Sequence, residues 1–283
     1  MSEHQVGPAD TLLQNGQMTR LDLAGTAVVL ARVDEQYYAF GGACTHYGAP
    51  LDKGVLKGYD LMCPRHHACF DIRSGVRNEP PALNDLPHYP VHIEAGQVVI
   101  VLPHDNAVEP HGRADASDPR TFVIVGGGAA GNAAGEELRR SGYRGKVVML
   151  SQVATGPLDR PNLSKDYLAG HAESGWIPLR SGEKWYADRD IDLRLNTKVT
   201  RIDARTHTIY LATGGTIHYD KLLLATGGAP RQLTGVPGIE LDGVFTLRSL
   251  ADADRIIGAA EKGKRAVIVG ASFIGMEVAA SLV

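Results

Sequence analysis

Hydrophobic positions in the first hundred residues alternate with polar ones in short runs broken by turn residues. Ala27–Val33 and Gln36–Phe40 are separated by Asp34-Glu35, and Tyr89–Glu94 and Gln97–Leu102 flank Ala95-Gly96. Such pairs of runs, rich in Val, Ile and Tyr and joined by two residues, predict β-hairpins. No segment before Pro103 carries apolar residues at helical spacing, so residues 1–103 are expected to form an all-β domain. Residues 104–120 (HDNAVEPHGRADASDPR) are polar and aperiodic and hold two prolines, which predicts a linker. A flexible chain of that length spans roughly 23 Å on an r.m.s. basis, enough for two flanking halves to approach each other.

At Thr121 the pattern switches. Thr121–Val125 reads as an apolar strand, Ala129–Ser141 as a helix and Lys146–Leu150 as a second strand. This β-α-β order implies a parallel sheet. Leu193–Tyr219 predicts hairpins with Gly214-Gly215 at one turn, and Lys221–Ala225 a further strand. Ala266–Val269 and the stretch from Phe273 onward start a second strand–helix unit.

Composition narrows the class. With 283 residues, 43% hydrophobic and 22% charged, the chain has the make-up of globular protein and room for two domains. Three cysteines exclude a disulfide-stapled secreted scaffold. A formal charge of −3 supplies no electrostatic reason to bind nucleic acid. The N-terminus has no basic region followed by an apolar one, and no apolar run reaches the ~18–20 residues of a membrane span. A cytoplasmic protein with no membrane partner is therefore expected.

Two motif sets carry chemistry. The first is Cys44-Thr-His46 followed by Cys63-Pro-Arg-His66. Two thiolates and two imidazoles on paired loops can hold a metal centre. A structural zinc site uses the same residue types, but its ligand pairs are normally spaced by two to four residues. The pattern, with Gly48, Pro50 and Leu51 after the first pair and Ala68-Cys69-Phe70-Asp71 after the second, resembles the Rieske family over about Leu21–Leu102. The resemblance implies a [2Fe–2S] cluster with Cys44 and Cys63 on one iron and His46 and His66 on the other. High-potential members carry an extra disulfide and hydroxyl donors to sulfur; Ala49 and Arg65, and Ala68 and Phe70, occupy those positions here. Fewer hydrogen bonds to sulfur lower the potential, so a midpoint near about −150 mV is expected. His67 stands where the family has Gly, a costly exchange if that position needs positive φ. Cys69 reads as a small buried hydrophobe.

The second set begins with Gly126-Gly-Gly128-Ala-Ala130-Gly131, directly after a predicted strand and opening a helix. This Gly-x-Gly-x-x-Gly pattern suits a dinucleotide pyrophosphate at a helix N-terminus. Gln152 takes the place of the usual acidic ribose ligand. Leu158-Asp-Arg160-Pro-Asn-Leu-Ser-Lys165 and Ala225-Thr226-Gly227-Gly-Ala-Pro-Arg231 resemble segments of FAD-dependent ferredoxin reductases. The resemblance implies Lys165 by the reactive edge of the flavin and Arg160 and Arg231 as FAD contacts. It also implies Ala130 at the phosphates through its backbone and Val199 at the adenine. Gly270-Ala-Ser272-Phe273-Ile-Gly275-Met-Glu277 resembles the NAD(P)H-binding repeat of that family, with Phe273 and Glu277 by the nicotinamide and Ser272 replacing the middle Gly. No Cys follows Cys69, which excludes a reductase with a Cys pair at its flavin.

The expected architecture is thus multidomain: an N-terminal all-β Rieske domain (1–103), a linker, an α/β Rossmann-like FAD-binding domain (121–265) and the start of an NAD(P)H-binding domain (266–283). Both α/β parts are expected to be incomplete, because the family resembled is longer. The implied activity is NAD(P)H oxidation with electrons passing by way of FAD and the [2Fe–2S] cluster to an acceptor protein or small molecule. An electron carrier with an inactive flavin half, or a zinc-stabilised interaction domain, are the other classes these residues allow.

Overall fold

Alternation of buried and exposed positions decides the sheets of the N-terminal half. The computed structural model describes residues 1–103, 112–180, 182–260 and 264–283, in two units, Met1–Glu109 and Pro110–Val283. In the first, Thr26–Val33 pairs antiparallel with Gln36–Gly41, and Val91–Glu94 with Gln97–Leu102. Both two-residue turns have positive φ at both central residues (Asp34, Glu35 and Ala95, Gly96). That primed geometry matches the right-handed twist of the flanking strands. Met18–Leu23 and His88–Tyr89 complete one four-stranded sheet, and Ser2–Pro8 adds to the second hairpin. A third sheet is made of Val55–Lys57, Asp60–Met62, Cys69–Asp71 and Arg77–Glu79.

The strand expected over Tyr89–Glu94 is broken at Pro90, and its halves join different sheets. Proline has no N–H to give a ladder, so pairing lapses there. Val29, Ala31 and Phe40 face a core with Leu51, Leu61 and Phe70, while Val28, Leu30 and Ala39 face another with Val98 and Ile100. Cys44 and Cys63 lie in the first of these cores.

In the second unit four strands run parallel in the order Ile191–Arg194, Lys146–Leu150, Thr121–Val125, Lys221–Leu224. Val123, Val125, Val148 and Leu150 pack on a three-stranded antiparallel sheet (Val199–Asp203, Thr208–Leu211, Thr216–His218). Ile124, Val147 and Met149 face the other way, onto helix α1 (Ala129–Arg140) and helix α2 (Glu183–Ala187). Arg139 of α1 is fully buried and donates to the carbonyls of Tyr143, Gly145, Arg189 and Asp190. Helix α3 (Leu250–Ala259) starts with a capping box of Ser249 and Asp252, and helix α4 is Phe273–Ser281.

Two expectations change. Residues 104–111 of the expected linker lie outside the described residues, but the remainder is tied to the second unit. Gly112 donates its N–H to the Arg139 carbonyl, Asp115 to that of Arg144, and Ala114 to the Asp190 carboxylate. The strand expected at Ala266–Val269 does not form: no ladder partner flanks it among the described residues, and Val267 and Val269 are 89% and 80% exposed. An apolar run becomes a strand only where a neighbour accepts its backbone hydrogen bonds. Among the described residues no helix is long and apolar enough to cross a membrane.

Candidate functional site

Two loops bring the N-terminal candidate ligands together in pairs, His46 with His66 and Cys44 with Cys63. In each loop, the Cys carbonyl accepts from the residue four on, and the Cys N–H donates to the carbonyl five on. These bonds are Gly48 N–H to Cys44 (2.8 Å) and Cys44 N–H to Ala49 (2.9 Å), then His67 N–H to Cys63 (3.2 Å) and Cys63 N–H to Ala68 (2.8 Å). Gly48 has φ +67° and His67 φ +62°, so the position where His67 replaces Gly is left-handed. The Nδ1 atoms of His46 and His66 lie 3.2 Å apart. Two imidazole nitrogens on one tetrahedral metal at ~2.1 Å stand ~3.4 Å apart, so this spacing fits a shared iron.

Cys44 and Cys63 are buried beside each other. Burial, with the neighbouring Cys63 thiol acting in the same direction, raises the Cys44 thiol to about 11, against the backbone N–H groups of His46 and Tyr47 that donate to its sulfur. Metal loading therefore displaces a proton from this thiol, and the backbone donors remain for the thiolate. The Tyr47 ring lies 4.1 Å from that of His46 and covers the pair. Thr45 ties the first loop to the Asn84 carbonyl at 2.6 Å. Ligands are grouped as thiol with thiol and imidazole with imidazole, the donor set of a two-iron cluster with two ligands per iron. Ala68 and Phe70 are fully buried and offer no hydroxyl to a sulfur, while Cys69 is partly exposed in its strand.

The dinucleotide candidates gather at the C-terminal edge of the parallel sheet, where ligands bind in such folds. Gly126 (φ +128°) lies so close to Ala225 that an added Cβ would stand 2.1 Å from its carbonyl oxygen, and a Cβ on Gly131 would stand 2.0 Å from the Gly126 oxygen. Only glycine permits these approaches. A Cβ on Gly128 would meet nothing within 4 Å, and no side chain caps α1, so the first N–H groups, including Ala130, open on free space. That cradle fits a pyrophosphate. Gln152 is exposed after buried Ser151, Thr226 and Gly227 are exposed after Ala225, and Val199 begins the antiparallel sheet. Arg231 is exposed on an irregular segment beyond this edge.

Sequence reasoning missed Arg248. Its guanidinium would lie 3.4 Å from a Cβ on Gly227, and its Nε is buried without a hydrogen-bond partner. Burial, then the charge of Arg248, hold the Arg160 guanidinium below its usual range. Two cations facing each other with an unsatisfied donor suit an anionic group. The signal available beforehand was the capping box at Ser249, which places Arg248 at the entry of a helix.

Lys165 and Glu277, 112 positions apart in the sequence, meet as an ion pair at 2.9 Å. Ser164 holds the same carboxylate oxygen at 2.6 Å, and the two contacts, that of Ser164 first, hold the Glu277 carboxyl below its ordinary value. Ser281 donates to the Ser164 carbonyl at 2.9 Å, docking α4 on the Arg160–Ser164 turn. The second glycine motif repeats the first: Gly270 has φ +115°, and a Cβ on Gly275 would stand 2.0 Å from its oxygen. Phe273, at the start of α4, is 84% exposed.

Comparison with known proteins identifies two family patterns in the chain. The pyridine nucleotide-disulphide oxidoreductase pattern matches residues 120–283, and the Rieske [2Fe-2S] domain pattern residues 2–90. Apoptosis-inducing factor 3 of Homo sapiens is 36% identical over 281 residues, which is 95% of this chain and 45% of that protein. The 3-phenylpropionate/cinnamic acid dioxygenase ferredoxin--NAD(+) reductase component of Photorhabdus laumondii is 38% identical over 57% of this chain and 40% of its own length. Putidaredoxin reductase, in its covalent complex with putidaredoxin, superposes with a TM-score of 0.53 at 37% identity, over 58% of this chain and 40% of that one. The chain thus spans about half the length of the curated relatives it matches.

Proposed function

We propose, since the chain belongs to the pyridine nucleotide-disulphide oxidoreductase family and carries a Rieske [2Fe-2S] domain ahead of it, that it oxidises NAD(P)H and delivers the electrons through its Rieske centre to an acceptor protein or small molecule. The observation that carries this is one chain holding both a two-thiol, two-imidazole donor set and a glycine cradle with the Lys165–Glu277 pair beyond it. When bound, FAD supplies conversion of a hydride into single electrons and the [2Fe–2S] cluster supplies one-electron carriage.

The chain's own residues have distinct tasks in this reading. The buried Cys44 and Cys63 would hold one iron, and the more exposed His46 and His66 would hold the other. Gly128, Ala130 and Gly131 offer backbone N–H groups to phosphate, while Gly126, whose N–H is taken by the Leu150 carbonyl, allows the close turn. Arg160, Arg231 and Arg248 add positive charge, and Gln152 and Val199 meet the adenosine half. Ala225, Thr226 and Gly227 line the same edge. Lys165 places a cation by the flavin, stabilising negative charge there. Gly270, Phe273, Gly275 and Glu277 form the nicotinamide side. Buried thiol ligands suit a reducing compartment, so we place the protein in the cytoplasm.

A second reading is an electron carrier whose flavin half is inactive. Gln152 in the place of the usual acidic ribose ligand favours it, because an amide meets ribose hydroxyls without charge assistance. Anaerobic purification, metal, sulfide and flavin assays, and visible spectra before and after NADH and then dithionite separate the two. Iron, sulfide and flavin with bleaching by NADH are expected. Bleaching by dithionite alone, without flavin, overturns the reductase reading and leaves the carrier.

A further inference from the structure

The Lys165–Glu277 pair belongs to a closed polar ring. Lys165 Nζ lies 2.9 Å from Glu277 Oε2 and 3.1 Å from the Pro161 carbonyl oxygen. Ser164 Oγ lies 2.6 Å from the same Glu277 Oε2 and 3.2 Å from the same Pro161 oxygen. Two donors and two acceptors thus alternate at the corners of a four-sided figure. Ser164 is almost wholly buried, whereas the Lys165 and Glu277 side chains are 46% and 27% exposed.

An exposed ion pair of this kind is worth little by itself, because water competes and two long side chains must be held still. A buried hydroxyl changes that. Its single hydrogen goes to the closer and charged acceptor, Oε2, as a short charge-assisted bond. The carboxylate is thereby pinned at the one point where Lys165 also reaches the Pro161 carbonyl. Two of the three ammonium hydrogens are engaged within the ring, which directs the third away from it. The Ser164 backbone is itself fixed, because its carbonyl accepts from Ser281 of α4.

We infer that Ser164 is a positioning residue of the electron-entry site, whose hydroxyl locks Glu277 onto Lys165 and so sets the direction in which the Lys165 ammonium points. The inference rests on the proposed roles of Lys165 and Glu277. It adds that a serine touching no substrate couples the turn carrying Lys165 to the helix carrying Glu277.

Removing the hydroxyl leaves Lys165 as the charged group facing Glu277, with Ser164 gone as its strongest neutral partner. The test is titration of the Glu277 carboxyl carbon by NMR in the full chain labelled with ¹³C-glutamate, the signal being assigned by its loss in Glu277→Gln. Ser164→Ala keeps the carbonyl that Ser281 grips, so α4 stays docked. It is expected to raise the titration midpoint by roughly one pH unit, the size of one charge-assisted bond. Ser164→Thr, which restores a hydroxyl, is expected to return it most of the way. In stopped-flow mixing with NADH, S164A is expected to slow flavin bleaching several-fold at saturating NADH, with flavin content unchanged. An unmoved carboxyl titration in S164A, or a shift that S164T fails to reverse, overturns the inference. A chain that NADH does not bleach overturns the reductase reading instead, while the carboxyl titration still decides the role of Ser164.

Discussion

His67 shows most plainly what a single residue costs. It occupies a left-handed position whose counterpart in the partner loop is Gly48. A non-glycine residue there carries about 1 kcal/mol of strain. His67→Gly should therefore raise the denaturant midpoint at which the cluster chromophore is lost, by the equivalent of about 1 kcal/mol. No gain would mean the imidazole makes compensating contacts in the loaded protein. Around the same cluster, Ala68 and Phe70 leave the sulfurs with backbone donors such as those of His46 and Tyr47. A midpoint near about −150 mV is expected in a redox titration followed by EPR, and a clearly positive value would contradict the argument from missing hydroxyl donors.

Among the elements, α1 and α3 are held by different means. The C-terminal turn of α1 closes on Arg139, which satisfies four carbonyls from two loop segments. Arg139→Ala empties a buried volume and orphans those acceptors, at about 1–3 kcal/mol for each group that water cannot reach. A loss of at least ~3 kcal/mol is expected in chemical denaturation followed by the near-UV signal of Tyr143 and Trp185. Helix α3 is tied by Tyr167, which donates to Asp254 at 2.6 Å. That bond, then burial, push the Tyr167 phenol up to about 12. A folded-state value raised above the unfolded one gives stability that is complete below pH 10 and fades as pH rises towards 12. The thermal midpoint should fall over that window, and Tyr167→Phe should flatten the fall; a parallel fall in both proteins would exclude this contact as its source.

For the whole molecule, the division of labour follows the division of the chain. All four candidate cluster ligands lie in Met1–Glu109, and the glycine cradle lies in Pro110–Val283. Cys44→Ser should therefore abolish iron incorporation while flavin binding and NADH-dependent flavin bleaching persist. Loss of flavin in this variant would show that the second unit depends on the first.

Much of this protein follows from local chemistry. Period-two alternation, two-residue turns and the Thr121–Leu150 strand–helix–strand pattern placed the main elements, because each depends on neighbours a few residues away. The candidate ligands Cys44, His46, Cys63 and His66 and the loop Gly126–Gly131 stood out in the sequence because the chemistry proposed for them demands fixed residue types at fixed spacing. Contacts between distant segments could not be read in this way. Arg248 beside Gly227, Arg139 among its carbonyls and Ser164 against Glu277 come from elements that packing brings together. Ala266–Val269 makes the same point in reverse: its pattern is that of a strand, but a strand is a property of a pair, and only the folded arrangement decides whether the second member is present.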